Sequence, residues 1–344
     1  MTPSKHIKRW LLSRSQRKEN STSGFTLLEL LIALFVGSLI ISGLLYLVVE
    51  MLKIERRETA VDDTQRDMKR ALEYIASDVS EAVYVYAPFS RDPGSGAINV
   101  ETWADSDQGR VIEELDAQGE IDSDRVVLAF WRPDFVEDND LIPLGDCSGF
   151  SDEIEEECQN LIERRAYYTL VVYEILPRDI DNPDGVWRGE ARLTRYELPK
   201  FDDPSTMAIN TAYDLNDVVD DDPTDNTFFT TWEPQNPVGN RVVLVDFVAN
   251  PTVDNQAECR SENELFVRIP EKAVSSSFFT CVRIPEGEVG QTDNQNLEIF
   301  LQGDPALSDG QEDALGVGVL NERSLLPILH TGVFVQGVVG NDPD

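Results

Sequence analysis

Hydrophobic and polar positions change period along the chain. Leu30 to Val49 is an unbroken run of twenty uncharged, mainly apolar residues. As a helix rising about 1.5 Å per residue, it covers about 30 Å, the thickness of a bilayer's hydrocarbon core. After a charge-rich stretch, Val61, Gln65, Met68, Leu72, Ile75, Val79, Val83 and Tyr86 recur at intervals of three and four, the stripe of an amphipathic helix. No proline falls between Pro3 and Pro88, so no missing backbone donor interrupts that helix. The pattern predicts one helix of roughly sixty residues, apolar over 25–50 and amphipathic over 51–87. From Pro88 onward, β-branched or aromatic runs occupy 125–131, 167–176, 191–198, 241–249, 265–269, 278–284, 297–301 and 333–339. Bounded by Pro, Gly, Asn and Asp, they read as strands. A long helix followed only by strands predicts an α+β fold, the helix packed on an antiparallel β-sheet domain. Residues 88–344 form that β-rich domain, with polar loops at 179–189 and 199–237.

Charge alters the reading at the N-terminus. Met1 to Gly24 carries Lys5, Lys8, Arg9, Arg14, Arg17 and Lys18 against the single acid Glu19, in a chain of formal net charge −35. The positive-inside rule keeps this basic end in the cytoplasm and places the C-terminal part across the membrane. An ordinary secretory signal puts its small-residue cleavage site after the apolar region. Here Gly24 precedes that region, so cleavage there leaves the anchor on the mature chain. Glu29 is then a lone carboxylate at the head of the apolar run, the next charge being Glu50. An unpaired carboxylate in hydrocarbon costs on the order of several kcal/mol. Glu29 needs a partner.

The order of basic leader, Gly24, Phe25-Thr26-Leu27-Leu28-Glu29 and apolar helix resembles the class III signal of type IV prepilins and type II secretion pseudopilins. The resemblance implies a leader peptide, 1–24, removed between Gly24 and Phe25 by a membrane-embedded prepilin peptidase, and N-methylation of Phe25. It also implies a filament-assembly role for Glu29, which would neutralise the new amine of a neighbouring subunit; an opposite charge at close range offsets desolvation. Residues 54–86, with Arg70-Ala71-Leu72-Glu73-Tyr74-Ile75-Ala76-Ser77-Asp78-Val79 at their centre, resemble the helix of the larger minor subunits, the J-type pseudopilins and W-type minor pilins. Together with Ala82-Val83-Tyr84-Val85-Tyr86 and Asp124 to Trp131, they resemble cyanobacterial hormogonium polysaccharide secretion pseudopilins. Tyr46 stands where major type IVa pilins usually carry a proline, which sets this chain apart from major pilins.

The resemblance implies a single-pass protein of the inner membrane, N-terminus cytoplasmic and C-terminal domain periplasmic, assembled into a periplasmic or surface filament. Its partners would be the prepilin peptidase, other pilins or pseudopilins, and an assembly platform served indirectly by a cytoplasmic ATPase. The filament would support export of a polymer, with polysaccharide for gliding motility as the specific expectation. A surface-displayed adhesive minor pilin is the alternative, and a signal-anchored periplasmic enzyme that keeps its leader is a third reading.

Cys147, Cys158, Cys259 and Cys281 all lie in the part placed outside the cytoplasm, where disulfides persist. Three full pairings are open; Cys147 with Cys158 and Cys259 with Cys281 close the short loops and are favoured. Zinc is disfavoured because no Cys-x-x-Cys spacing occurs and His330 is the only histidine outside the leader, which holds His6. Removing the leader's net +5 leaves −40 on the mature chain, so nucleic acid and anionic polysaccharide are poor candidates for a broad electrostatic contact. The acidic run from Asp214 to Asn226 offers oxygen ligands to Ca²⁺, but without the EF-hand spacing or its central glycine, so a solvated loop is preferred and no cofactor is expected. There is no Gly-x-Ser-x-Gly elbow, Walker loop or His-Glu-x-x-His motif, and the sequence reads as non-enzymatic.

Overall fold

The computed structural model describes residues 24–92, 98–106, 109–181, 185–213, 229, 232–253, 256–260, 266–284, 296–305 and 326–335. The basic leader up to Ser23 with His6, and the acidic run 214–226, lie outside the described residues. The chain divides into two units, Met1–Glu55 and Arg56–Asp344. A continuous helix, α1 (Leu27–Ser80), contributes to both.

In the first unit α1 is apolar all round from Leu30 to Val49, and Leu30, Leu34, Ile41, Leu45 and Val48 are each more than half exposed. Among the described residues it is the one helix long and apolar enough to cross a membrane.

In the second unit α1 becomes amphipathic. Thr64, Met68, Ala71, Leu72, Ile75, Asp78 and Val79 are buried, a 3–4 spacing that keeps one face on the core. Full burial of Met68, Leu72, Ile75 or Val79 contributes roughly 1.5–3 kcal/mol each. The solvent face carries the intrahelical pairs Asp63–Arg66, Asp67–Arg70 and Lys69–Glu73. The structure corrects the expected stripe at two places. Gln65 is exposed and its neighbour Thr64 takes the buried position. The helix also stops at Ser80 instead of running to 87, because Val83 and Tyr86 find sheet partners. Val83 N–H donates to the Trp131 carbonyl at 2.8 Å, and Tyr86 N–H to that of Ala129 at 2.9 Å. Between them lies β1 (Tyr84–Val85).

The central sheet is antiparallel. β1, β4 (Val126–Phe135), β5 (Ala166–Pro177), β6 (Ala191–Pro199) and β9 (Asn240–Val248) lie side by side in that order. The first six residues of β4 are all buried, so both faces of the strand are covered, which is why it reads as a continuous apolar run. A second antiparallel sheet follows the order β10 (Phe266–Ile269), β11 (Phe278–Arg283), β12 (Asn296–Leu301), β13 (Leu329–Phe334). The two sheets share one core with α1. Thr280 Oγ1 of β11 donates to the Val127 carbonyl of β4 at 2.6 Å, and a bridge between Val248 and Gly303 ties the end of β9 to the segment after β12. A Cβ on Gly303 would lie 2.8 Å from Met68 Cγ and 3.1 Å from Thr64 Cγ2, so the close approach of α1 requires glycine there.

Two-stranded ribbons, β2 (Phe89–Arg91) with β3 (Ile98–Val100) and β7 (Phe201–Asp203) with β8 (Ala208–Ile209), decorate this frame. So do helices that the strands-only reading omits: α2 (Arg110–Ala117), a single turn α3 (Asp138–Leu141) and α4 (Asp152–Arg164). α2 buries Val111, Ile112 and Leu115. α3 and α4 fill an excursion between β4 and β5. Its neck is closed by the paired residues Phe135 and Ala166 and by a bond from Val136 N–H to the Arg165 carbonyl. Cys147 and Cys158 are disulfide-bonded inside it, Cα atoms 5.9 Å apart. They pack with Leu144, Leu161, Phe201 and Met207 in a separate small core. Cys259 is bonded to Cys281 of β11, with Cα atoms 5.6 Å apart.

α1 meets the central sheet through charge as well as packing. Asp78, buried on the helix, accepts from Arg195 Nε of β6 at 2.8 Å and Nη2 at 3.2 Å, from Arg132 Nη1 of β4 at 2.8 Å, and from the Tyr173 hydroxyl of β5 at 2.6 Å. Glu197 bridges the two arginines at 2.5 and 3.2 Å, and Asp134 lies 3.0 Å from Arg132. Burial works against the charge on Arg195, but its hydrogen bonds to Asp78 and that carboxylate's charge outweigh it and hold the guanidinium well above the ordinary arginine value. Burial first, and then Asp78, push the Tyr173 hydroxyl far above the usual phenol range, so it stays a donor.

A buried pair broken on one side leaves an uncompensated charge, so Asp78→Ala should destabilise the second unit by about 3–5 kcal/mol. The apolar double variant Asp78→Leu/Arg195→Met should recover most of that loss. Urea unfolding of the full chain in detergent micelles, followed by tryptophan fluorescence, measures both; a loss for Asp78→Ala under about 1 kcal/mol would mean that apolar packing alone holds the helix.

Candidate functional site

The site to which the sequence points is the start of α1. Thr26 is its cap: the Thr26 carbonyl accepts from Glu29 N–H at 3.0 Å and Leu30 N–H at 3.2 Å, and Thr26 Oγ1 accepts from Glu29 N–H at 3.2 Å. This is the side-chain half of a capping box, Thr-x-x-Glu, which satisfies one of the donors that a helix start leaves open. Glu29 therefore stands third in the helix, where the unpaired amide dipoles favour a negative charge. Sequence reasoning treated Glu29 only as a charge in need of a partner and passed over Thr26. The Thr-x-x-Glu spacing ahead of an apolar run was the signal.

Phe25 is 81% exposed, and the Gly24–Phe25 peptide bond precedes the first helical turn. A Cβ built on Gly24 meets nothing within 4 Å. This fold itself does not require glycine at that position. An exposed peptide ahead of a capped helix end can enter a protease cleft without unwinding regular structure. Among the described residues the Glu29 carboxylate has no ion-pair partner; its recorded bonds are those of its backbone amide.

The four cysteines form the two disulfides described above and none is free. Among the described residues no group of three or more His, Cys, Asp or Glu side chains is placed to hold a metal ion, and the acidic run 214–226, read from sequence as a solvated loop in preference to a Ca²⁺ site, lies outside those residues. Tyr213 and Trp232, which bracket that run, stack with ring centroids 4.8 Å apart.

Residues 20–45 match the family described as the prokaryotic N-terminal methylation motif. No curated protein and no solved structure matches the chain. The motif covers the Gly24–Phe25 bond, Glu29 and most of the apolar run Leu30 to Val49, and it supports a type IV pilin- or pseudopilin-like protein with a single-pass membrane anchor. It implies processing by prepilin peptidase.

Two variants separate what the peptidase needs from what the fold needs. Gly24→Val should leave the folded chain unchanged but abolish cleavage, so that the N-terminal peptide in a mass spectrum retains the leader. Thr26→Val should weaken the first turn by about 1 kcal/mol, read as roughly fivefold faster amide exchange at residues 28–30 with cleavage preserved.

Proposed function

We propose that this chain is a minor pseudopilin, a structural subunit of a type IV pilus-like or type II secretion-like filament that supports polymer export. The observation that carries the reading is the helix start: a methylation motif, an accessible Gly24–Phe25 bond and an acid three residues into an apolar helix. Cleavage on the cytoplasmic side creates an amine at Phe25. The helix stores the subunit in the inner membrane until an assembly platform and its ATPase draw it into the filament. There the Glu29 carboxylate answers the Phe25 amine of a neighbouring subunit, while the β-rich domain faces the periplasm. Export of a polysaccharide for gliding is the specific form of this reading; it rests on the resemblance of residues 54–86 and 124–131 to secretion pseudopilins.

The capping geometry dictates the variant to use. Glu29→Gln keeps a side chain able to complete the cap and removes only the charge, so filament incorporation should fall at least tenfold (1.4 kcal/mol per decade) while membrane insertion is unchanged. Incorporation equal to wild type would count against an assembly role for the charge. Mass spectrometry of the N-terminal peptide from washed membranes and from sheared surface material tests the wider reading. Methylated Phe25 confined to membranes agrees with a pseudopilin, abundance in the sheared fraction would favour the surface-displayed adhesive pilin, and an intact leader in both would refute both.

A further inference from the structure

The two disulfides sit in contrasting places. Cys147 and Cys158 are both buried, in the small core beside Leu161 and Phe201. Cys281 is buried on β11, but its partner Cys259 is only half-buried and lies in the short segment 256–260. That segment covers one face of the second sheet. Beneath it, Phe279 and Phe300 stack with ring centroids 4.5 Å apart, and His330 stacks on Phe300 at 5.6 Å. Ala257 and Cys259 pack against Phe279, Cys281 and Phe300, forming a cluster separate from the main core.

Polar ties accompany the disulfide. Arg268 lies flat on Phe279, its guanidinium carbon 3.3 Å from the ring centroid, and donates to the carbonyls of Ala257 at 3.4 Å and Ser275 at 2.9 Å. Arg260 reaches Glu298 at 3.1 Å, and Lys272 reaches Glu258 at 3.5 Å. The exposed Lys272–Glu258 pair contributes roughly 0–1 kcal/mol, whereas a covalent cross-link constrains the segment whatever the solvent does.

We infer that Cys259–Cys281 is a redox-labile latch that holds segment 256–260 over the Phe279–Phe300 face, while Cys147–Cys158 is a permanent staple. The attacking reagent is a dithiol. One of its thiolates attacks the sulfur of the half-buried Cys259, the S–S bond breaks, and Cys281 leaves as a thiolate that takes up a proton. The second thiolate then displaces Cys259 from the mixed disulfide. Two electrons pass to the cysteine pair, which becomes two thiols, and the dithiol becomes a disulfide. Attack at Cys147 or Cys158 is blocked because neither sulfur is reached from solvent. Release of the latch frees the segment and uncovers an aromatic face edged by Arg268.

The test uses the full chain in lipid nanodiscs, treated with graded dithiothreitol under native conditions, alkylated and mapped by peptide mass spectrometry. Cys259 and Cys281 should become alkylated at least about tenfold faster than Cys147 and Cys158. Hydroxyl-radical footprinting of a Cys259→Ser/Cys281→Ser variant reads the cover itself. Oxidation of Phe279 and Phe300 should rise severalfold over wild type, while Phe130 and Phe278, buried in the shared core, stay protected. Equal reduction of the two bonds, continued protection of Phe279 in the variant, or a parallel rise at Phe130 and Phe278 would each overturn the latch. The last result would make this bond a staple of the sheet itself.

Discussion

A carboxylate removed from water has to be answered by its neighbours, and the second unit is arranged around one such answer. Asp78 projects from the last turns of α1 to where β4, β5 and β6 present Arg132, Tyr173 and Arg195. Four hydrogen bonds to one side chain fix both the rotation of the helix about its axis and its position along the sheet. A slide of one residue would leave a buried charge facing apolar side chains, at a cost of several kcal/mol. The apolar stripe from Met68 to Val79 supplies attraction without direction. Register comes from the ionic joint, and the turn into β1 at Ser80 follows from it, because Tyr84 and Val85 must reach Trp131 and Phe130 of β4.

Glu29 shows the same economy at the other end of the helix. Its amide closes the Thr26 cap and its carboxylate lies near the positive end of the helix dipole. A residue that helps to start the helix locally is thereby also held where a charge from another molecule can meet it. Both features fall on one residue, the first on its backbone amide and the second on its carboxylate, because the helix N-terminus leaves its amides unpaired.

Much of this fold was legible in the sequence, and the misses have physical reasons. β4, β5, β6 and β11 are readable as apolar runs because burial on both faces removes the alternation that would otherwise blur their limits, whereas β7 and β8, three and two residues long, fall inside the stretch 199–237 read as a polar loop. The α1 stripe takes Gln65 in place of Thr64, and it omits Asp78 because a periodicity argument assigns an aspartate to solvent. Its partners Arg132 and Arg195 lie 54 and 117 residues away, beyond any local window. α2 was missed because eight residues give the 3.6 period too little length to declare itself. α4 does carry signals, with Ser151 before it, acids in its first turn and Arg164 in its last, but a reading that expects only strands after Pro88 assigns it no element. The end of the long helix was overrun because Val83 and Tyr86 continue the 3–4 spacing by coincidence while their backbone joins the sheet.

The excursion between β4 and β5 leaves the sheet at Phe135 and returns at Ala166, two residues that are themselves paired. Measured by its neck, an insertion of thirty residues is therefore no longer than a hairpin turn. Its internal shape is settled by Cys147–Cys158 and by contacts with β7 and β8, and the strand register is settled without it. Variation on the outer side of this part is insulated from the frame: its length and surface can change, as a graft's can, while the side that meets Tyr167, Phe201 and Met207 keeps its fit and the helix joint stays the same.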